Sequence, residues 1–146
     1  MRISTRSRYG MRLMLELALN SGKGPIFLKD IARSQEISEK YLSQIIIPLK
    51  SAGLVNSFRG AHGGYVLKRE PAQITLREIV EVLEGDFTLV ECVGNPRVCD
   101  RAAQCVTQGV WFKVGQAIAG TLESMTLRDL VRDFQAKSPQ SQGYAI

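Results

Sequence analysis

The spacing of apolar positions changes along the chain, and each change predicts a different element. Over residues 5–19 apolar side chains recur at helical spacing, which predicts a first helix. After Gly53 the period falls to two, which predicts short strands at 54–58 and 65–67. The glycine-rich segment between the strands, RGAHGG, is typical of a hairpin tip.

Two shorter helices are predicted between the first helix and the hairpin. Residues 28–32 place apolar side chains on one face of a short helix, and Ser38 is a good N-cap for a second helix. The buried stripe of the second helix follows the pattern i, i+3, i+4, i+7: Leu42, Ile45, Ile46 and Leu49. Two short helices around a tight turn indicate a helix-turn-helix, and a hairpin directly after it indicates the wing of a winged helix.

Two residues of this region work against a regular helix-turn-helix. Glu36 occupies the turn position often held by glycine, where a left-handed backbone would cost on the order of 1 kcal/mol. We therefore expect a looser turn. Pro48 lies inside the buried stripe, removes one backbone donor, and is expected to kink or loosen the last turns.

The second half of the chain is predicted to be helical. Thr75 and Glu78 form a capping box for a helix that ends at Gly85. A longer helix over 107–124 is apolar on two faces, which suggests a dimer seam, and Thr126 caps a last short helix. The predicted fold class is mainly α with a small β-hairpin wing, that is, a winged helix-turn-helix plus a long dimerisation helix. The predicted divisions are a DNA-binding domain (1–85), a cysteine loop (86–106), the dimerisation and C-terminal helices (107–135) and a disordered tail (136–146).

Charge adds a reason to expect a polyanionic partner. The 146-residue chain has a net charge of +5, of which residues 1–70 contribute +7 and residues 71–146 contribute −2. No apolar run approaches the roughly 18 residues that cross a bilayer, and the N-terminus lacks the apolar segment of a signal peptide. We expect a cytoplasmic protein with no membrane partner.

The polar face of the second helix supplies candidate contacts to double-stranded DNA. Gln44 can pair with adenine, Ser43 can donate or accept, and Lys40 and Lys50 suit phosphates. Arg59 suits a narrow minor groove. The full set of residues taken from this face and the wing is Ser38, Lys40, Ser43, Gln44, Lys50, Arg59 and His62. The alternative is a solvated polar face beside an ordinary hairpin, but the ordered combination of helices, cap and wing favours DNA binding.

The three cysteines of the chain, Cys92, Cys99 and Cys105, follow the spacing C-x6-C-x5-C. This spacing lacks the paired knuckles of structural zinc sites, and a disulfide would leave one thiol over. Iron–sulfur clusters accept looser spacings. An iron–sulfur cluster, a zinc or redox dithiol site and inert thiols all stay open at this point. The single histidine, His62, and the lack of nucleophile motifs argue against an enzyme.

Several stretches together resemble a known family. RISTRSRYGMRLMLELAL, IARSQEISEKYLSQIIIPLKSAGLV, SFRGAHGGYVL and CVTQGVW resemble the Rrf-type winged-helix regulators, which include the IscR, NsrR, RirA and CymR groups. The resemblance covers roughly residues 1–135. It implies a homodimer in the bacterial cytoplasm, with a long helix that crosses to the partner subunit. It also implies a cysteine loop that senses iron–sulfur, iron, nitric oxide or redox status, and a palindromic operator that the protein usually represses.

The resemblance also implies roles for particular residues. The cluster cysteines fall at Cys92, Cys99 and Cys105, the DNA-reading residues at Tyr41 to Gln44, and the wing arginine at Arg59. The chain departs from the family at the fourth cluster ligand: Gln108 replaces the histidine of the IscR group, and Arg8 replaces the aspartate of the NsrR group. Both 2Fe–2S and 4Fe–4S clusters therefore stay open.

The CymR group suggests an alternative function. The N-terminal half resembles this group, which senses sulfur through a partner enzyme and lacks the cysteine triplet. The alternative is therefore a thiol- or zinc-based redox sensor, or a regulator of cysteine metabolism that acts through a protein partner.

Overall fold

The computed structural model describes residues 1–138. Seven α-helices, three short 3-10 helices and two strands are assigned in this part of the chain; the α-helices and strands are labelled. Their bounds are α1 Thr5–Leu19, α2 Leu28–Gln35, α3 Glu39–Ser51, β1 Val55–Phe58, β2 Gly64–Leu67, α4 Leu76–Glu84, α5 Glu91–Gly94, α6 Val106–Glu123 and α7 Leu127–Lys137. The arrangement confirms the predicted fold class, mainly helical with a two-stranded antiparallel wing. The division into domains stays a prediction, and residues 139–146 of the predicted tail lie outside the described residues.

One core joins the N-terminal helices to α4 and α7. The predicted stripe of α3 is buried, and Leu13, Ile79 and Leu127 are fully buried in the same cluster. Gly10 lets α1 approach its neighbours closely, because a Cβ at this position would lie 2.1 Å from the Leu83 side chain. The core therefore fixes the orientation of α3 relative to α1 and α4.

The turn between α2 and α3 is tight, so the expectation of a looser turn is wrong. Glu36 adopts the left-handed conformation with φ 54° and ψ 43°. The backbone amide of Ile37 donates to the carbonyl of Ala32 at 3.0 Å, and Ile37 itself is buried. These contacts offset the strain of about 1 kcal/mol at a non-glycine residue.

Helix α3 continues through Pro48 to Ser51. The amide of Ala52 donates to the Pro48 carbonyl at 2.9 Å, so the final turn keeps its hydrogen bond. Proline removes only the amide that would have reached the carbonyl of Gln44. The expected loosening is therefore limited to one missing hydrogen bond.

The wing is a hairpin with one further backbone contact. Val55 pairs with Leu67 and Phe58 with Gly64. Ile26, which precedes α2, exchanges two backbone hydrogen bonds with Tyr65, at 3.0 and 2.8 Å. This contact joins the wing to the start of the helix-turn-helix.

Helix α6 packs against α4, and α7 packs against α1, so both are joined to the N-terminal core. Thr75 and Thr126 form a bridge, and the Leu76 amide donates to the Met125 carbonyl at 2.9 Å. Both predicted helix starts are capping boxes, Thr75 with Glu78 and Thr126 with Asp129. Within residues 1–138, no helix is long and apolar enough to span a membrane.

Candidate nucleic-acid interface and cysteine loop

The polar face of α3 is open to solvent. Ser38 caps the helix, and its hydroxyl accepts the amide of Tyr41 at 3.3 Å. Because the opposite face is buried in the core, Lys40, Ser43 and Gln44 are exposed. The Ser43 hydroxyl donates to the Lys40 carbonyl at 2.6 Å, so its oxygen remains available as an acceptor. Lys50, at the other end of the helix, is also exposed.

Tyr41 differs from the other predicted contacts because it is half-buried. Its ring meets the ring of Tyr9 edge to face, with centroids 5.8 Å apart. The guanidinium of Arg12 lies over the ring of Tyr9, 5.5 Å from its centroid. Tyr41 therefore couples α3 to α1 and has only part of its surface free.

A groove of about 660 Å³ runs beside the N-terminal end of α3. It places Thr5 and Tyr9 of α1 opposite Ser38, Lys40 and Gln44 of the helix-turn-helix. Neither Tyr9 nor Thr5 was among the DNA contacts predicted from the sequence. The net charge of +7 over residues 1–70 indicated a basic N-terminal half, but the long-range packing that opens the groove has no local sequence signal.

Arg12 has a structural partner in addition to its charge. Its Nε donates to the side-chain oxygen of Gln35 at 3.1 Å, and its other nitrogen donates to the Gln35 backbone carbonyl. The Gln35 amide in turn donates to Glu16 at 2.8 Å. This network holds the C-terminal end of α2 against α1, and so supports the tight turn before α3.

The wing presents two of the predicted contacts at its tip. Arg59 and His62 are both exposed. The tip depends on glycine, because a Cβ at Gly63 would lie 2.3 Å from the Phe58 carbonyl oxygen and a Cβ at Gly64 would lie 2.4 Å from the backbone of Ile26. The close backbone approach therefore shapes the tip that carries Arg59.

The cysteine loop (86–106) consists of short turns and one four-residue helix, with all three thiols free. Cys92 lies in α5, Cys99 lies exposed between two turns, and Cys105 is the N-cap residue of α6. The side-chain amide of Gln108 donates to the Cys92 carbonyl at 2.5 Å. The first turn of α6, which directly follows Cys105, therefore lies close to Cys92.

The thiol of Cys105 lies among polar groups. Its sulfur lies 3.1 Å from the hydroxyl of Thr107. This hydrogen bond, with the backbone amides of Gln108 and Thr107 and the charge of Arg101, lowers the pKa of the Cys105 thiol. The surroundings therefore favour the thiolate, the form that binds metals.

The donor chemistry of the loop fits an iron–sulfur cluster, since it offers three free thiols and one thiolate-favouring environment. Between residues 1 and 138, however, no three histidine, cysteine or acidic side chains converge as a metal site. The side-chain nitrogen of Gln108 donates to the Cys92 carbonyl, so within this side chain only the oxygen could bind a metal. The described loop thus supplies suitable donors in an open arrangement.

The loop is also attached to the middle of α6. A Cβ at Gly115 would lie 2.3 Å from the carbonyl oxygen of Phe87, so the segment before the cysteines lies directly on the helix. Arg77 of α4 bonds to Glu81 at 2.8 Å and reaches Glu123 of α6 at 3.8 Å. The loop, α6 and α4 are therefore in direct contact.

The outer face of α6 carries a row of side chains that are exposed to solvent. Val106 and Val110 are exposed, and Ala117 and Thr121 continue the row at helical spacing. The second apolar row of α6 is covered only at its C-terminal end. Leu122 and Met125 pack against the core, whereas Trp111 is 45% exposed. The apolar surface of α6 is thus covered near its C-terminal end and open near its N-terminal end.

Comparison with known proteins agrees with this architecture. The family model described as Rrf2, iron-dependent transcriptional regulator, matches residues 3–133. The transcriptional regulator CymR of Bacillus subtilis is 45% identical over 130 residues, which is 89% of each chain. Protein rrf2 of Nitratidesulfovibrio vulgaris is 41% identical over 133 residues, 91% of this chain and 89% of that protein.

A solved structure is similarly close. That of T. potens IscR superposes with a TM-score of 0.79 at 42% identity, covering 96% of this chain and 93% of the other. The family match and these relatives confirm the predicted resemblance and support DNA binding in transcription regulation. This chain belongs to the Rrf2 family of transcriptional regulators.

Proposed function

We propose that this protein is a cytoplasmic, iron–sulfur-dependent regulator that binds a palindromic operator as a homodimer and represses transcription. The observation that carries the proposal is the attachment of the cysteine loop to α6. Gln108 and Gly115 hold the loop on the same helix that carries the open apolar row. A change in the loop therefore acts directly on the helix that would join the two subunits.

The contacts to DNA follow from the exposed groups of α3 and the wing. Gln44 and Ser43 would read base edges in the major groove, and Lys40 and Lys50 would contact phosphates. Arg59 would enter the adjacent minor groove, with His62 near the backbone. Ser38 and Tyr41 would fix the start of α3, through the cap and through the ring contact with Tyr9.

The open row of α6 is the proposed subunit interface. Val106 is 86% exposed, although valine is among the residues most often buried. A second copy of the same row would cover these side chains. In this arrangement the two α3 helices are held at a fixed distance, which a palindromic operator requires.

Cys92, Cys99 and Cys105 would hold the cluster, which supplies a group that oxidants and iron shortage can remove. An ordered loop would press on α6 at Gly115, and α6 would transmit the change to α4 through Arg77 and Glu123. Helix α4 packs against α1 and α3 and thereby influences the DNA-reading face.

The similarity to CymR favours a second candidate. The solved structure of B. subtilis CymR is described as that of the global cysteine regulator and superposes with a TM-score of 0.76. In this case the free thiols would act as a thiol or zinc switch, or the protein would regulate cysteine metabolism through a protein partner. The exposed Cys99 is compatible with such a switch.

Operator titration by fluorescence anisotropy tests the proposal. The protein reconstituted anaerobically with iron and sulfide is compared with the variant Cys92→Ala/Cys99→Ala/Cys105→Ala. We expect a difference in affinity or operator selectivity between the two, and a steep loss of affinity between low and moderate salt for both. Equal affinities and selectivity would refute the cluster dependence, whereas binding that ignores salt would refute the DNA-binding role itself.

A further inference from the structure

One exposed apolar side chain lies on the DNA-reading face of α3. Ile47 is 63% exposed, whereas the preceding isoleucines, Ile45 and Ile46, are 1% and 3% exposed. At about 100° per residue, Ile47 lies about 40° from Ser43 and about 60° from Gln44 around the helix axis. Ile47 therefore lies among the residues proposed to read bases.

Packing within the protomer does not account for an isoleucine at this position. Isoleucine is a weaker helix former than alanine, lysine or glutamine, so an exposed isoleucine gives α3 no advantage. Single exposed apolar residues are common on protein surfaces, so exposure alone carries no argument. The location is what matters, because residues one turn earlier on the same face are the proposed base contacts.

The major groove offers one apolar group at the edges of its base pairs, the C5-methyl group of thymine. A branched aliphatic side chain between a hydroxyl and an amide matches a thymine beside the hydrogen-bonded pair. We infer that Ile47 is a specificity-determining residue that contacts the methyl group of a thymine next to the base pair read by Gln44. This inference rests on the proposed DNA-binding function and adds a base that the polar residues do not read.

Replacing thymine by deoxyuridine tests the inference, because it removes the methyl group and keeps the pairing. Wild-type protein first selects a duplex from a random-sequence pool, and each thymine of that duplex is then replaced singly. At one thymine position in each half-site the replacement should weaken wild-type binding about four-fold, the value for one buried methyl group. With Ile47→Ala the same replacement should change affinity less than about 1.5-fold, and Ile47→Val should fall between.

The control is Ile3→Ala, an isoleucine with 52% exposure outside the helices. It should retain the full deoxyuridine effect. Ile47→Ala is expected to fold, since alanine is the stronger helix former, and circular dichroism checks this. If Ile47→Ala shows the same deoxyuridine effect as wild type, or weakens all duplexes equally, the inference is overturned while the proposed function stands. If wild-type protein selects no sequence at all, both are overturned.

Discussion

The contact between Phe87 and Gly115 joins the cysteine loop to α6 and allows a quantitative test. A Cβ built on Gly115 would lie 2.3 Å from the Phe87 carbonyl oxygen. Because carbon and oxygen normally approach to about 3.3 Å, Gly115→Ala must displace the loop by about 1 Å. The same change at Gly120 of α6 meets no atom within 4 Å and serves as the matched control.

Two effects of opposite sign determine the free energy of unfolding. Alanine stabilises the interior of a helix by about 0.8–1.0 kcal/mol relative to glycine, and both variants gain this amount. Gly115→Ala also suffers the overlap with Phe87, which costs about 1–3 kcal/mol. We therefore expect Gly120→Ala to be more stable than Gly115→Ala by about 1–3 kcal/mol.

Urea unfolding at a fixed protein concentration measures this difference, since the protein is expected to be a dimer. Hydrogen exchange should become faster at residues 86–105 in Gly115→Ala and stay unchanged there in Gly120→Ala. Equal stabilisation by both substitutions, with unchanged exchange in the loop, would show that the Phe87 segment does not lie on α6. The proposed route from the loop to the DNA-reading face would then lack its first contact.

Four further predictions concern the turn, acid stability and DNA recognition. Glu36→Gly removes the strain of a left-handed backbone and should raise the free energy of unfolding, measured in urea, by about 0–1 kcal/mol. The gain is small because glycine also makes the unfolded chain more flexible. A clear loss of stability would contradict the strain argument. Hydrogen bonds from the side chain and amide of Ser4 lower the pKa of Glu84 below its ordinary value of 4.5, so its stabilising effect is complete above that pH and disappears as the pH falls through the lower folded-state pKa. Glu84→Gln should accordingly flatten the acid side of a curve of Tm against pH, and an unchanged slope would refute this role. Gln44→Ala should cost about 1–3 kcal/mol at one base pair in titrations of singly substituted duplexes, whereas an equal loss on every duplex would make Gln44 a backbone contact. Arg59→Ala should weaken binding and relax the preference at narrow-groove positions of the same duplexes, and unchanged affinity and preference would exclude the wing from recognition.

The elements that were predictable depend on local chemistry. The capping box of Thr75 and Glu78 forms as the S/T-x-x-E pattern predicts, and both of its hydrogen bonds are present. The stripe of α3 is buried because four apolar residues share one face. Such patterns are complete within a few residues, so the sequence alone is enough to recognise them.

The features that were missed depend on distant contacts. The left-handed Glu36 is strained in isolation, and its neighbours hold it in place through the buried Ile37 and the Arg12–Gln35 bonds. The bridge from Ile26 to Tyr65 uses only one residue before α2, and a single residue cannot show the alternation that predicts a strand. Spacing identified the cysteines as donors, but the bond from Gln108 to the Cys92 carbonyl spans sixteen residues and has no motif.

Iron and acid-labile sulfide contents of anaerobically purified protein test the central claim most directly. We expect a brown protein with iron and sulfide in equal amounts per chain, and neither in the variant that lacks all three cysteines. The amount per chain would also distinguish 2Fe–2S from 4Fe–4S. A wild-type protein that stays colourless after anaerobic reconstitution with iron and sulfide would contradict the cluster and favour a thiol or zinc switch on the same winged helix.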